Sequence, residues 1–83
     1  MEKSDLLKPV DQVTVTITSP EDSKLYESTN TGYHTIEEAI KEAVAKADLD
    51  INPEDCVFTV NNVTKGVSHR YRINAHGNLK LIV

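Results

Sequence analysis

The chain has few of the residues that build or brace a small domain. None of its 83 residues is Trp, and its aromatic rings are limited to Phe58 and three tyrosines. A core with so few large rings is thin, and a domain of this length buries a smaller share of its surface than a larger one does. With only three Gly and three Pro, a fibrous repeat is excluded. The composition predicts one small globular domain of marginal stability.

Cysteine and long apolar runs are also scarce. Cys56 is the one cysteine, so no disulfide can form within the chain. No apolar run approaches the roughly 18 residues that a membrane-spanning helix needs. Residues 1–11 mix acidic and basic side chains and lack the apolar stretch of a signal peptide. We therefore expect a cytoplasmic protein, with a flexible N-terminal arm at 1–11 and a single domain at 12–83.

Charge is unevenly distributed along the sequence. Residues 1–55 contain all thirteen acidic side chains and five lysines, a net charge of −8. Residues 56–83 contain four basic side chains and no acid, a net charge of +4. This asymmetry is the most informative functional feature of the sequence, because segregated charge favours partners of opposite sign.

The first half predicts two strands and a helix. Val13, Val15 and Ile17 alternate with threonines over residues 12–19, the pattern of a half-buried strand. A Ser-Pro-Glu-Asp turn at 19–22 reverses the chain, and 24–29 is a weaker candidate for the returning strand. Thr35 and Glu38 have the spacing of a capping box at a helix start. An apolar stripe follows, and the helix should end near Asp48; the stripe comprises Ile36, Ala39, Ile40, Ala43, Val44 and Ala47.

The second half predicts three consecutive antiparallel strands. Alternating residues cover 56–61 and 67–74, and the last strand runs over 79–83. Turn residues separate these strands at 62–66 and 76–78. The element order is β-β-α-β-β-β. We expect a two-layer α+β fold, in which an antiparallel sheet has one helix packed on one face.

No residue pattern predicts catalysis, a metal site or a cofactor. Cys56 and His69 are candidates to meet across neighbouring strands as a thiolate–imidazole pair, but a cysteine on an apolar strand face is more typical of packing. The three histidines lack the short spacing that assembles a metal site. Gly32 stands alone before the helix, without the glycine-rich pattern that cradles a phosphate. We therefore expect a protein that is not an enzyme.

The candidate partner-binding residues are the four cations of the second half: Lys65, Arg70, Arg72 and Lys80. Arg70 and Arg72 are two apart on one strand and so share a face, and Lys80 joins them if the strands pair in order. A charged outer face is common for a sheet covered on one side. An acidic protein partner and a nucleic acid are the functional alternatives. The acidic pI and the position of Tyr71 on the opposite face make nucleic acid the less favoured one.

The helix start carries a resemblance to a known family. Residues 31–40, Thr-Gly-Tyr-His-Thr-Ile-Glu-Glu-Ala-Ile, resemble the strand-to-helix junction of HicB-type antitoxins. The size, acidity and single-helix plan are similar to those of small phage-encoded inhibitors, including some anti-CRISPR proteins. These resemblances imply a bacterial or phage inhibitor that acts by binding.

The sequence thus favours a small non-catalytic interaction or regulatory protein that binds another protein. A nucleic-acid-binding domain that uses the basic C-terminal strands is one alternative, and a phage- or antitoxin-like inhibitor is another. The last strand has apolar residues on both faces, so a homodimer through that strand is a further expectation if it lies at a sheet edge.

Overall fold

The computed structural model describes residues 7–82 and shows a five-stranded sheet with one helix packed against it. The elements are β1 (Val13–Thr18), β2 (Lys24–Asn30), α1 (Ile36–Ala47), a 3₁₀ turn (Pro53–Asp55), β3 (Val57–Asn62), β4 (Val67–Ile73) and β5 (Leu79–Ile82). The strand order is β2-β1-β3-β4-β5, and every neighbouring pair is antiparallel. The predicted α+β class and element order are confirmed.

The alternating residues of β1 form the centre of the core. Val13, Val15 and Ile17 are almost fully buried, while the threonines between them face the other side of the sheet. β1 lies between β2 and β3, so both of its edges are hydrogen-bonded. Val60 and Phe58 stand directly opposite Val15 and Ile17, and cross-strand pairs of this kind stabilise a sheet.

The second strand, for which the sequence pattern is weaker, is present at Lys24–Asn30. β2 pairs with β1 along its length, although its own residues are mostly exposed or half-buried. The reversal before it is fixed by Ser19, whose Oγ accepts hydrogen bonds from the backbone N–H groups of Glu21 and Ser23 at 3.2 and 3.1 Å. Pairing with a buried neighbour therefore compensates for a weak strand sequence.

The helix follows its predicted pattern. Thr35 Oγ1 accepts a hydrogen bond from the Glu38 backbone N–H at 3.2 Å and caps the first turn. Four residues of the apolar stripe are buried against the sheet, and the remaining two are partly buried. Asp48 ends the helix in a left-handed conformation, with φ of 50°. Lys41 and Lys46 form ion pairs with acids one turn earlier, at 3.0 and 3.3 Å.

The position of α1 leaves one end of the sheet uncovered on the helix side. Its main contacts are with β1, β2 and β3, whereas β4 packs against the 3₁₀ turn. The alternation in β4 predicts that Val67, His69, Tyr71 and Ile73 are buried against the helix, but of these only Tyr71 is fully buried and Val67 is 44% exposed. A single helix of 12 residues is too narrow to cover five strands.

Residues 7–12 lie against the domain. The Leu7 backbone N–H donates to the His34 carbonyl, and the Pro9 carbonyl accepts from the Gly32 N–H, both at 2.9 Å. Asp11 is only 2% exposed, and its Oδ2 accepts a hydrogen bond from Asn62 Nδ2 at 3.1 Å. The expected N-terminal arm is therefore bonded to the fold from Leu7 to Asp11, and its first six residues lie outside the described residues, as does Val83.

Candidate interaction surface

The face of the sheet that points away from α1 is open and polar. The register aligns Thr14 with Thr29 and Thr16 with Glu27, and both pairs are hydrogen-bonded, at 2.8 and 3.1 Å. Further along the sheet, Thr59 and Arg70 stand opposite one another on this face. Hydroxyl groups thus occupy the β1 and β2 side, and cations begin at β4.

The cations of β4 and β5 form a short row on this open face. Arg72 stands directly opposite Lys80, and Arg70 stands opposite Ile82. We refer to Arg70, Arg72 and Lys80 as the basic row; all three are exposed. The ion pairs found in residues 7–82 lie on β2 and α1, so no carboxylate of the described chain forms an ion pair with the basic row. Two cations directly opposite each other repel and destabilise the pair of strands.

One end of the basic row borders a cleft. Arg72 Nη2 donates a hydrogen bond to the backbone carbonyl of Glu54 in the 3₁₀ turn, at 3.4 Å. The cleft has a volume of about 470 Å³, and Lys80, Leu81 and Ile82 of β5 contribute to its lining. It therefore lies along the last strand and combines the charge of the open face with apolar side chains. No local sequence pattern predicts this contact, because Glu54 and Arg72 come together only through the turn before β3.

Lys65 lies apart from the other three candidate residues. It belongs to the turn between β3 and β4, at the opposite end of β4 from Arg72; Val67 and Arg72 alone are about 17 Å apart along a strand. Its charge acts on Asp11. The Asn62 side-chain hydrogen bond lowers the pKa of Asp11 below its ordinary value, and Lys65 and Lys8 contribute to the lowering. The structure thus brings together Arg70, Arg72 and Lys80 and leaves Lys65 at a separate polar cluster.

Cys56 and His69 do not meet. Cys56 precedes β3, whereas His69 pairs with Val60, four residues further along, which is a distance of about 13 Å on a strand. Cys56 is fully buried, and this burial, together with nearby Asp55, raises the pKa of its thiol. His69 instead packs edge-to-face with Tyr71, and the centroids of the two rings are 6.5 Å apart. Cys56 and His69 therefore do not form a thiolate–imidazole pair.

Tyr33 is a buried titratable group whose hydroxyl bonds to the helix. Burial raises the pKa of Tyr33 to about 12, and the bond from its hydroxyl to Glu42 Oε1 at 2.9 Å adds to the increase. The same bond lowers the pKa of Glu42. The pair joins the loop before α1 to the middle of the helix, which is a structural role.

Residues 7–82 contain neither a cluster of metal ligands nor a helix of membrane-spanning length. No group of three or more His, Cys, Asp or Glu side chains is placed to hold a metal ion in that range. Nor does it contain a helix long and apolar enough to cross a membrane.

Comparison with known proteins gave no relative. No family model, curated protein or solved structure matches this chain.

Proposed function

We propose that this chain is a small non-catalytic binding protein, and that it recognises an acidic partner protein through the basic row. The observation that carries the proposal is the direct opposition of Arg72 and Lys80 on the open face, with Arg70 beside them and no carboxylate of residues 7–82 within ion-pair distance. Like charges opposite each other cost stability in the free protein. A carboxylate from a partner placed between them removes that repulsion and adds attraction.

The rest of the molecule supports a binding role for this end. Glu37, Glu38 and Glu42 lie on α1, which packs on the other face of the sheet, so the helix repels an acidic partner and the basic row attracts it. Such segregation orients an approaching partner before contact. A cytoplasmic location is part of the proposal, and it agrees with a lone, buried, unpaired cysteine. A regulatory role as a bacterial or phage inhibitor fits a small domain that acts by binding.

Charge reversal in the basic row tests the proposal. The full chain, its Arg72→Glu variant and its Lys41→Glu variant serve as baits in a cross-linking pull-down from the cell that encodes the protein. Lys41 is exposed on α1, so Lys41→Glu makes the same change in net charge away from the basic row. We expect the same protein on the wild-type and Lys41→Glu baits and its loss from Arg72→Glu. Equal recovery on all three baits would count against the proposal.

Nucleic acid is the alternative ligand for the same cations. Its binding would fall steeply with salt, because phosphate contacts release counterions. A gel shift at low salt that disappears on Arg70→Ala or Arg72→Ala would replace the protein partner with a nucleic acid. The open face presents hydroxyl groups and cations, whereas Tyr71 is buried on the other side, so the aromatic stacking platform of most RNA-binding sheets is not available there.

A further inference from the structure

β5 has an open edge. It pairs with β4 on one side and is the last strand of the sheet. Within residues 7–82 no strand covers its other side, so the backbone N–H and C=O groups that point outward there are available to another strand.

The two faces of this edge differ in chemistry. On the helix side, Leu81 continues the row of Phe58 and Tyr71 and is 43% exposed, because α1 lies over β1, β2 and β3. On the open side, Lys80 stands beside Arg72. Leu79 and Leu81 thus make the helix side of β5 apolar, whereas the open side carries Lys80 followed by Ile82.

The opposite edge of the sheet, along β2, does not combine exposed leucines with an unpaired cation. On β2, Glu27 already bonds Lys24 at 3.3 Å and Thr16 at 3.1 Å, so its charge is satisfied. Ser28 and Asn30 occupy the helix side of β2 and are polar. The β2 edge thus offers a strand neither an unpaired charge nor a row of leucines.

We propose that the partner adds a strand to the open edge of β5, and that this strand alternates acidic and apolar residues. Its acidic side chains lie beside Lys80 on the open face, and its apolar side chains lie beside Leu79 and Leu81 on the helix side. Main-chain hydrogen bonds supply part of the affinity, and the alternation supplies the specificity. This inference rests on the proposed function, because it assigns the acidic partner a conformation and a position.

A second copy of this chain is a poorer occupant of the edge. Antiparallel pairing of two β5 strands about a two-fold axis keeps the same faces together. The two Lys80 side chains would then lie on the same face of adjacent strands, which are about 5 Å apart, and would repel each other. An acidic strand turns the same proximity into attraction.

The test uses the full chain and a fluorescein-labelled peptide, Val-Glu-Val-Glu-Val-Glu-Val-Glu, with capped ends. A peptide with lysine in place of glutamate controls for charge. Two further isomers carry N-methyl groups on the valines or on the glutamates, and each lacks the hydrogen-bond donors along one edge of the strand. Anisotropy measures affinity, and backbone amide shifts in NMR spectra locate the site.

Strand addition predicts a distinctive set of results. The acidic peptide binds, the lysine peptide does not, and only one N-methyl isomer loses affinity, because one edge of the peptide faces β5. Lys80→Glu weakens the acidic peptide by about tenfold, since it replaces attraction to flanking acids with repulsion. Lys41→Glu leaves the affinity unchanged. The largest amide shifts fall on residues 79–82.

Other results overturn the inference. If both N-methyl isomers bind as well as the parent peptide, acidic ligands contact the basic row without adding a strand; the proposed function then survives and the strand addition does not. If no acidic peptide binds while the pull-down partner still depends on Arg72, the recognised surface of that partner is not an extended strand. If sedimentation shows a wild-type dimer whose contact is β5, the edge belongs to a second copy.

Discussion

Lys80→Glu should stabilise the folded domain, although it places a new acid on an already acidic protein. Lys80 stands directly opposite Arg72 on the open face, so the substitution replaces a repulsive cross-strand pair with an attractive one. Each such pair is worth about 0.2–1 kcal/mol relative to a neutral one. Because both side chains are exposed, the lower part of that range applies to each contribution. We expect a total gain of about 0.5–1 kcal/mol in the free energy of unfolding.

Thermal and urea unfolding measure this gain. In a domain of this size, 1 kcal/mol corresponds to a shift of about 4–8 °C in Tm, so a rise of about 2–8 °C is expected. Lys80→Gln, which removes only the repulsion, should give about half the gain. At about 1 M salt the difference should shrink, because exposed charges are screened there.

Net charge provides a sharp control. Lys80→Glu changes the formal net charge from −4 to −6, and general self-repulsion would destabilise the chain. A gain in stability therefore has to come from a local pair. In the background of Arg72→Gln the gain should vanish. A Lys80→Glu protein no more stable than the wild type, or a gain that persists without Arg72, would refute the cross-strand repulsion and remove the main support for the basic row.

Three further predictions concern the helix, Tyr33 and Cys56. Ile40→Asp should unfold the domain in circular dichroism, because it places an unpaired charge against the sheet, whereas Thr35→Ala should cost only about 1 kcal/mol through loss of the helix cap. The pKa of Tyr33 in the folded protein is raised to about 12, so its contribution to stability is intact below pH 10 and is lost as the pH rises toward 12. Between these two pH values, the urea concentration at the unfolding midpoint should depend less on pH in Tyr33→Phe than in the wild type. Cys56 should react with a thiol reagent only after denaturation, since burial raises its pKa.

The sequence predicted the elements whose pattern is local. The alternation in β1 and the cap and stripe of α1 each depend on neighbouring residues, and the structure confirms them. The 24–29 strand was uncertain because its own residues are polar; pairing with β1 decides it. The sequence does not decide whether the last strand lies at a sheet edge. β3 occupies the place beside β1, so β5 is at the edge.

The candidate site was only partly predictable, because its local spacing can be read from the sequence and the pairing of its strands cannot. The shared face of Arg70 and Arg72 follows from their spacing, and the opposition of Arg72 and Lys80 requires the turn at 74–78 to set the register. Lys65 was grouped with them by sequence proximity, but the hairpin sends it to the other end of β4. Neither the limited reach of α1 over the sheet nor the bonded segment from Leu7 to Asp11 has a local signal, because both depend on contacts between distant residues.

The placement of β1 inside the sheet has a consequence for how the chain folds. β1 comes early in the sequence, yet one of its two neighbours is β3, which is synthesised much later. Around it, Asp11 bonds Asn62 and Gln12 bonds Thr64, across separations of 51 and 52 residues. Contacts between such distant residues slow folding, because a long loop must close before they form. A nascent chain that ends before β3 therefore leaves one edge of β1 unpaired, and chaperones that bind extended apolar segments would meet it at that stage.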